Sequence, residues 1–252
     1  MSGAKTRSKP AAARPPAAKP KAAPKPLRQK VVAPEAKLHI SSRNYSSWSM
    51  RGWLLLKLSG LPFETEVVSA DDPKTRAELL LNSSSILLPC LEHEGAEVWD
   101  TLGIAEYLNE LKPEAHLFPA DRIARARCRS ICGEMHAGFQ ALRASLPVNL
   151  RAHVPGFTVW SAARADIERI QFLWRDCLEK WGGPWLFGDR CTVADAMFAP
   201  VVTRFRTYDV KLDEVCEGYA RTIEAWPDFI EWVEAAKVEP ERITELEFES
   251  EF

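Results

Sequence analysis

No run of apolar residues in this chain approaches the roughly 20 that a membrane-spanning helix requires, so no segment is built to cross a bilayer as a helix. Acids are almost missing from the first 37 residues, where Glu35 alone stands against ten Lys or Arg. That stretch also lacks the apolar core of a secretory signal, and its Ala, Pro and Lys have almost nothing to bury, which predicts a disordered tail over residues 1–36. Its prolines disfavour the amphipathic helix of an organelle transit peptide, and a solvated spacer fits the composition better than an address or a nucleic-acid arm. Cysteine is sparse. None of the six (Cys90, Cys128, Cys132, Cys177, Cys191, Cys216) sits in a C-x-x-C pair or has a histidine at zinc spacing, which argues against a metal site. Cys128 and Cys132 lie one helical turn apart but offer two soft ligands without a third. Set among apolar neighbours, the cysteines read as buried free thiols of a reducing compartment, which implies a cytoplasmic protein.

The net charge of −2 hides an asymmetry: with the basic tail set aside, the remainder carries about −11 by formal counting. An acidic body is a poor binder of nucleic acid. With 252 residues, 46% of them hydrophobic, the chain can build two small domains or one large one around a packed core.

The most informative segment is Leu38 to Lys57. A brief apolar stretch ends at Ser41, the polar turn Arg43-Asn44-Tyr45-Ser46-Ser47-Trp48-Ser49 follows, and Met50, Trp53, Leu54 and Leu58 then recur at helical spacing. Ser46, Ser47 and Ser49 are candidate helix caps. A helix start of this kind has exposed N–H groups and the positive end of the dipole, which favour a thiolate, carboxylate or phosphate. The plain alternative is that these serines only cap the helix. Arg51, in the first turn, is unfavourable toward the dipole and reads as part of a surface or interdomain ion pair.

Beyond this helix, Pro62 to Val68 predicts a second strand and Pro73 to Leu81 a short helix. Ile86 to Leu91 is an apolar run interrupted by Pro89, then Glu92 to Ala96 turns into Glu97-Val98-Trp99 to complete a hairpin. A proline there cannot donate to a ladder, so it belongs at an edge, a bulge or a cis bond. Thr101 opens a helix that Lys112-Pro113 closes. The order is βαβαββα. From Pro119 onward the pattern is helical throughout: Arg122 to Leu146 reads as one helix, and Ile167, Ile170, Trp174, Cys177, Leu178 and Trp181 line a face of another. Thr192-Val193-Ala194-Asp195 has the form of a capping box ahead of the apolar run Ala196 to Val202, so Asp195 is structural and its helix runs through the core. Trp226-Pro227 begins the last helix, and Glu239 to Glu251 reads as a solvated acidic tail.

Four features together, namely the serine turn before Arg51, the Leu88-Pro89 step, Trp99-Asp100-Thr101 entering a helix, and the Thr192 to Asp195 box, resemble the glutathione S-transferase superfamily over roughly residues 37 to 238. Within it, Asn44 to Arg51 and Glu134 to Phe139 resemble a bacterial branch distantly similar to the zeta class. The resemblance implies an α/β plus all-α fold: a thioredoxin-like glutathione-binding domain over 37–114, an all-helical C-terminal bundle over 119–238, and an acidic tail over 239–252. It further implies a glutathione transferase that uses glutathione as co-substrate and no metal, acts on a small hydrophobic electrophile, and forms a homodimer.

By the same resemblance, Ser46 is the catalytic hydroxyl that hydrogen-bonds the glutathione sulfur, with Tyr45 as the alternative, and Ser47 contributes to binding. Leu88 presents its backbone to the cysteinyl part, which needs a cis Leu88-Pro89 bond. Asp100 and Thr101 take the γ-glutamyl end. From spacing alone, Glu134, His136 and Arg143 fall on neighbouring faces of one helix and are candidates for the second-substrate pocket. His136 reads equally well as a satisfied interior histidine. Trp48 stands where the zeta turn has cysteine, so that class's isomerase chemistry is not inherited, and Asp100-Thr101 replaces the common Glu-Ser step. Two other readings remain open: a non-catalytic protein-binding module on the same fold, and a glutathione-dependent isomerase or peroxidase.

Overall fold

The computed structural model describes residues 36–68 and 88–240, together with residues 1 and 3. The expected Pro73 to Leu81 helix and the tail beyond 240 lie outside them. Strand β1 (Ala36–Ile40) alternates buried and half-buried positions, so Ala36, Leu38 and Ile40 point into the core. It pairs in parallel with β2 (Phe63–Val67), Leu38 opposite Thr65, and antiparallel with β3 (Cys90–His93), Leu38 opposite Leu91. β3 makes a hairpin with β4 (Ala96–Val98), giving the sheet order β2-β1-β3-β4. This is the thioredoxin-like arrangement that the family resemblance implies.

Helix α1 (Ser47–Ser59) connects β1 to β2 and is buried on nearly all sides, from Met50 through Leu56. It packs against β1, against α2 (Thr101–Leu111), and against two helices of the second half, α6 (Val193–Thr207) and α8 (Pro227–Lys237). A helix apolar around its girth must be covered around its girth, and this one is. The remaining helices are α3 (Arg122–Ala137), α4 (Gln140–Ser145), α5 (Ser161–Trp181) and α7 (Glu214–Glu224). In the bundle centre the buried Trp174 of α5 meets Phe198 and Phe205 of α6 and Tyr219 of α7, with ring centroids 6.0, 5.7 and 4.8 Å away.

One expected helix is two. Arg122 to Leu146 breaks after Ala137, because Gly138 turns so that a Cβ there would lie 2.7 Å from the Glu134 carbonyl, and Phe139 takes a positive φ of 61° to bury its ring. The break is sealed by Arg143, whose guanidinium donates to the carbonyls of Met135 and Gly138 at the end of α3, and by Asp166, which accepts the Leu142 N–H at 2.8 Å. Hydrophobic spacing runs smoothly through this point, so periodicity alone does not show the break.

The capping box at α6 is present. The Asp195 carboxylate takes the Thr192 N–H at 2.8 Å and the Thr192 hydroxyl at 3.0 Å, and its other oxygen accepts from Leu186 N and Tyr219 Oη, each at 3.1 Å. Burial nonetheless pushes its pKa up to about 6.

Candidate active site

Ser46 is the N-cap of α1. Its backbone is extended (φ −106°, ψ 104°), and its hydroxyl accepts the Ser49 N–H at 3.1 Å. That bond uses a lone pair and leaves the hydroxyl proton available. Ser46 is half-buried, whereas both its neighbours are buried and engaged. The Tyr45 hydroxyl accepts from Arg151 at 2.8 Å, and the Arg151 guanidinium lies 5.4 Å from the tyrosine ring centre. The Ser47 hydroxyl accepts from Arg204 at 3.4 Å. Ser49 turns the other way, its oxygen taking the Ser41 N–H at 3.1 Å.

Two further segments meet α1. The Leu88-Pro89 bond is cis, and Pro89 lies so tightly over Gly52 that a Cβ at that position would be 2.6 Å from the proline Cγ. Glycine is what lets the proline loop and the helix approach each other. Asp100, the N-cap of α2, spends Oδ1 on the N–H groups of Leu102 (2.8 Å) and Gly103 (3.3 Å) and turns Oδ2 toward His136 Nε2 at 3.1 Å. Thr101 is fully buried, its hydroxyl 3.5 Å from His136 Nδ1. The ring of His136 is 5.0 Å from that of Trp48, which ties the start of α2 to the start of α1 through α3.

Trp48 collects cations. The Arg51 and Arg143 guanidinium carbons lie 4.7 and 4.6 Å from its ring centre, within cation–π range. Arg51 is fully buried, donates Nε to the Met197 carbonyl at 2.8 Å, and has a pKa held well below the ordinary range by burial, then by Arg143 and Arg204. Burial, reinforced by Arg143, likewise lowers Arg204 to about 9. The sequence shows neither this arginine cluster nor the position of Trp48 within it, because the three arginines come from α1, α4 and α6. Of the residues expected at the site, Asp100, Thr101, His136 and Arg143 are linked through His136 and Trp48, while Ser46 and Pro89 reach the same helix α1 at Ser49 and Gly52. Glu134 is not among them: it forms a two-point pair with Arg169 of α5, at 2.7 and 2.9 Å. Among the described residues no group of three His, Cys, Asp or Glu is placed to hold a metal, and no helix is long and apolar enough to cross a membrane.

The chain matches the glutathione S-transferase N-terminal domain family over residues 45–111 and the C-terminal domain family over 130–235. It is 26% identical over 171 residues, 68% of this chain and 78% of the relative, to a probable maleylacetoacetate isomerase of Caenorhabditis elegans. It is 25% identical over 222 residues to a glutathione S-transferase-like protein of Beauveria bassiana, covering 81% of this chain and 91% of that one. In three dimensions it superposes on a Burkholderia glutathione transferase homologue crystallised with bound glutathione, with a TM-score of 0.61 at 24% identity over 80% of this chain and 98% of that one. A bacterial maleyl pyruvate isomerase of the zeta class gives the same score at 21% identity, over 82% and 100%. A helix-capping serine turn, a cis-proline loop and an acid-capped helix start thus stand where two matching family domains meet, and the chain belongs to the glutathione S-transferase superfamily.

Proposed function

We propose that this protein is a glutathione transferase in which the Ser46 hydroxyl donates to the glutathione sulfur and favours the thiolate, which then attacks a small electrophile. The carrying observation is that the Ser46 oxygen accepts the Ser49 N–H at a half-exposed helix start, a bond that does not use the hydroxyl proton. A free thiol has a pKa of about 8.5, and a donor plus the N-terminal dipole that lowers it by about one unit raises the reactive fraction at neutral pH about tenfold. Tyr45 is the weaker candidate because it is buried, whereas Ser46 is half-exposed at the helix start.

In this reading the Leu88 backbone aligns the cysteinyl part of glutathione beside the cis Pro89, and Asp100, with its side chain 43% exposed, takes the γ-glutamyl ammonium. Thr101, fully buried, acts through His136. Ser47 supports the turn from below through Arg204. Trp48, His136 and Arg143 form the floor of the second-substrate side, an aromatic surface bordered by cations, which suits a small flat electrophile bearing negative charge. Glu134 contributes only through its pair with Arg169. The reading includes a homodimeric, cytoplasmic protein with separate 37–114 and 119–238 domains. The six cysteines form no disulfide with one another, and five of them are buried, which supports a reducing compartment.

The isomerase alternative draws on the named relatives, but Trp48 occupies the position at which a cysteine would be expected in the zeta turn. The test is retention on immobilised glutathione followed by a conjugation assay of wild type and Ser46→Ala. Loss of about tenfold in kcat/KM with retained binding is expected, and unchanged turnover would remove Ser46 from the chemistry.

A further inference from the structure

The turn that delivers Ser46 is held from behind by a carboxylate from the other end of the chain. Glu239, just beyond the end of α8, places Oε1 2.8 Å from Arg43 N, and Oε2 2.9 Å from Asn44 N and 2.6 Å from Ser42 Oγ. Two consecutive backbone N–H groups and a hydroxyl therefore converge on one anion, the concave arrangement in which a main chain binds negative charge. The Ser42 hydroxyl gives its proton to Glu239 and uses its lone pairs for Asn44 N (3.0 Å) and Tyr45 N (3.1 Å), so the carboxylate orders four successive residues, Ser42 to Tyr45.

The seat is closed on its other sides. Arg151 donates to the main-chain oxygen of Glu239 at 2.7 Å and to the Tyr45 hydroxyl at 2.8 Å, and the Trp232 indole donates to the Arg43 carbonyl at 3.1 Å. Asn44 donates to the Asn149 side chain at 2.9 Å and accepts from Arg151 N at 3.1 Å. Read from sequence as part of a solvated acidic tail, Glu239 is instead half-buried and fully engaged. Such a charge-assisted seat fixes the backbone immediately before Ser46.

We propose that Glu239 is a positioning residue for the thiolate chemistry: its carboxylate holds the Ser42–Tyr45 turn, and through it the Ser46 hydroxyl, at the start of α1. The proposal rests on the reading of Ser46 given above. A carboxylate is required because Arg43 N and Asn44 N are both donors facing different oxygens. In an amide one of those oxygens becomes an NH2 group that points at a donor.

The test uses the full-length chain with Glu239→Gln, Glu239→Asp, Ser46→Ala, the Ser46→Ala/Glu239→Gln pair, and Glu234→Gln as a control, since exposed Glu234 pairs with Lys237 of its own helix. The readouts are the pKa of enzyme-bound glutathione by ultraviolet thiolate absorbance, kcat and KM against pH, and the thermal midpoint. Glu239→Gln is expected to raise the bound thiol pKa by about one unit and lower kcat about tenfold at neutral pH, with recovery at high pH and little change in the KM for glutathione. Glu239→Asp should fall between it and wild type, the control should match wild type, and the double variant should be no worse than Ser46→Ala alone. A wild-type thiol pKa in folded Glu239→Gln, while Ser46→Ala shifts it, overturns this proposal and leaves the Ser46 reading standing. A wild-type pKa in Ser46→Ala overturns both. If Glu239→Gln does not fold, Ser42→Ala, which removes one of the three donors, is held to the same criterion.

Discussion

Helices α1 and α6 begin with the same device and serve opposite ends. Each starts from a hydroxyl residue in extended conformation, Ser46 in one and Thr192 in the other. At α6 the whole start is sealed: Thr192 and Asp195 are buried, and the carboxylate has four donors from within the fold. At α1 the cap is half-exposed, and the carboxylate that orders it, Glu239, sits behind the turn rather than at the helix end. Cap chemistry is common to both. What separates a structural cap from a candidate catalytic one is which side of the turn the acid occupies, because an acid on the open side would repel the thiolate that the helix start can stabilise.

The contrast can be broken most forcefully at α6. Asp195→Ala leaves the N–H groups of Leu186 and Thr192 and the hydroxyls of Thr192 and Tyr219 without their buried acceptor, and should cost about 3–5 kcal/mol, read as a fall of about 10 °C in thermal midpoint. The bound thiol pKa of the surviving folded protein should not move. Asp195→Asn sharpens the same point through pH. Burial raises this carboxyl from 3.8 to about 6 in the folded state, so the folded protein holds the proton more tightly than the unfolded chain. Its contribution to stability is therefore fully present below the unfolded pKa and is lost as the pH rises through about 6, up to about 3 kcal/mol for this group. Denaturant titrations between those limits should show that slope in wild type and not in the asparagine variant.

At α1 the ordering reverses, with chemistry affected more than stability. Ser46→Ala should lower kcat/KM about tenfold, equivalent to about 1.4 kcal/mol of transition-state stabilisation, while unfolding free energy falls by no more than about 1 kcal/mol for the lost cap. A large loss of stability with unchanged kinetics would make Ser46 a second Thr192. Gly52→Ala pushes α1 and the Pro89 loop apart and should raise the KM for glutathione about fivefold, with kcat less affected, in steady-state assays at saturating electrophile. The smallest effect is expected at His136→Gln, which keeps a hydrogen-bonding side chain near Asp100 and Thr101 but removes the ring beside Trp48: a change of about two- to threefold in the KM for the electrophile.

Much of this was legible in the sequence. The strand at Leu38, the capped starts at Ser46 and Thr192, the helix that opens at Thr101, and the proline step at Leu88-Pro89 each depend on a few adjacent residues, and each falls where the pattern puts it. The interruption at Gly138-Phe139 was hidden, because the apolar period continues through it while the break depends on Arg143 and Asp166 folding back from later turns. Glu134 shows the same limit of local reading: two residues from His136 in sequence, it is taken by Arg169 of another helix.

Local chemistry therefore decided where elements begin and which hydroxyls and acids stand at their ends, since capping, turn formation and periodicity act within a turn or two of chain. Only the tertiary structure decided which of those ends stay open. The Glu239 carboxylate closes on Arg43 from 196 residues away, and Arg143 and Arg204 reach the start of α1, beside its own Arg51, from two other helices. Contacts of that span leave no local pattern, because they are chosen by the packing of finished elements rather than by the residues beside them.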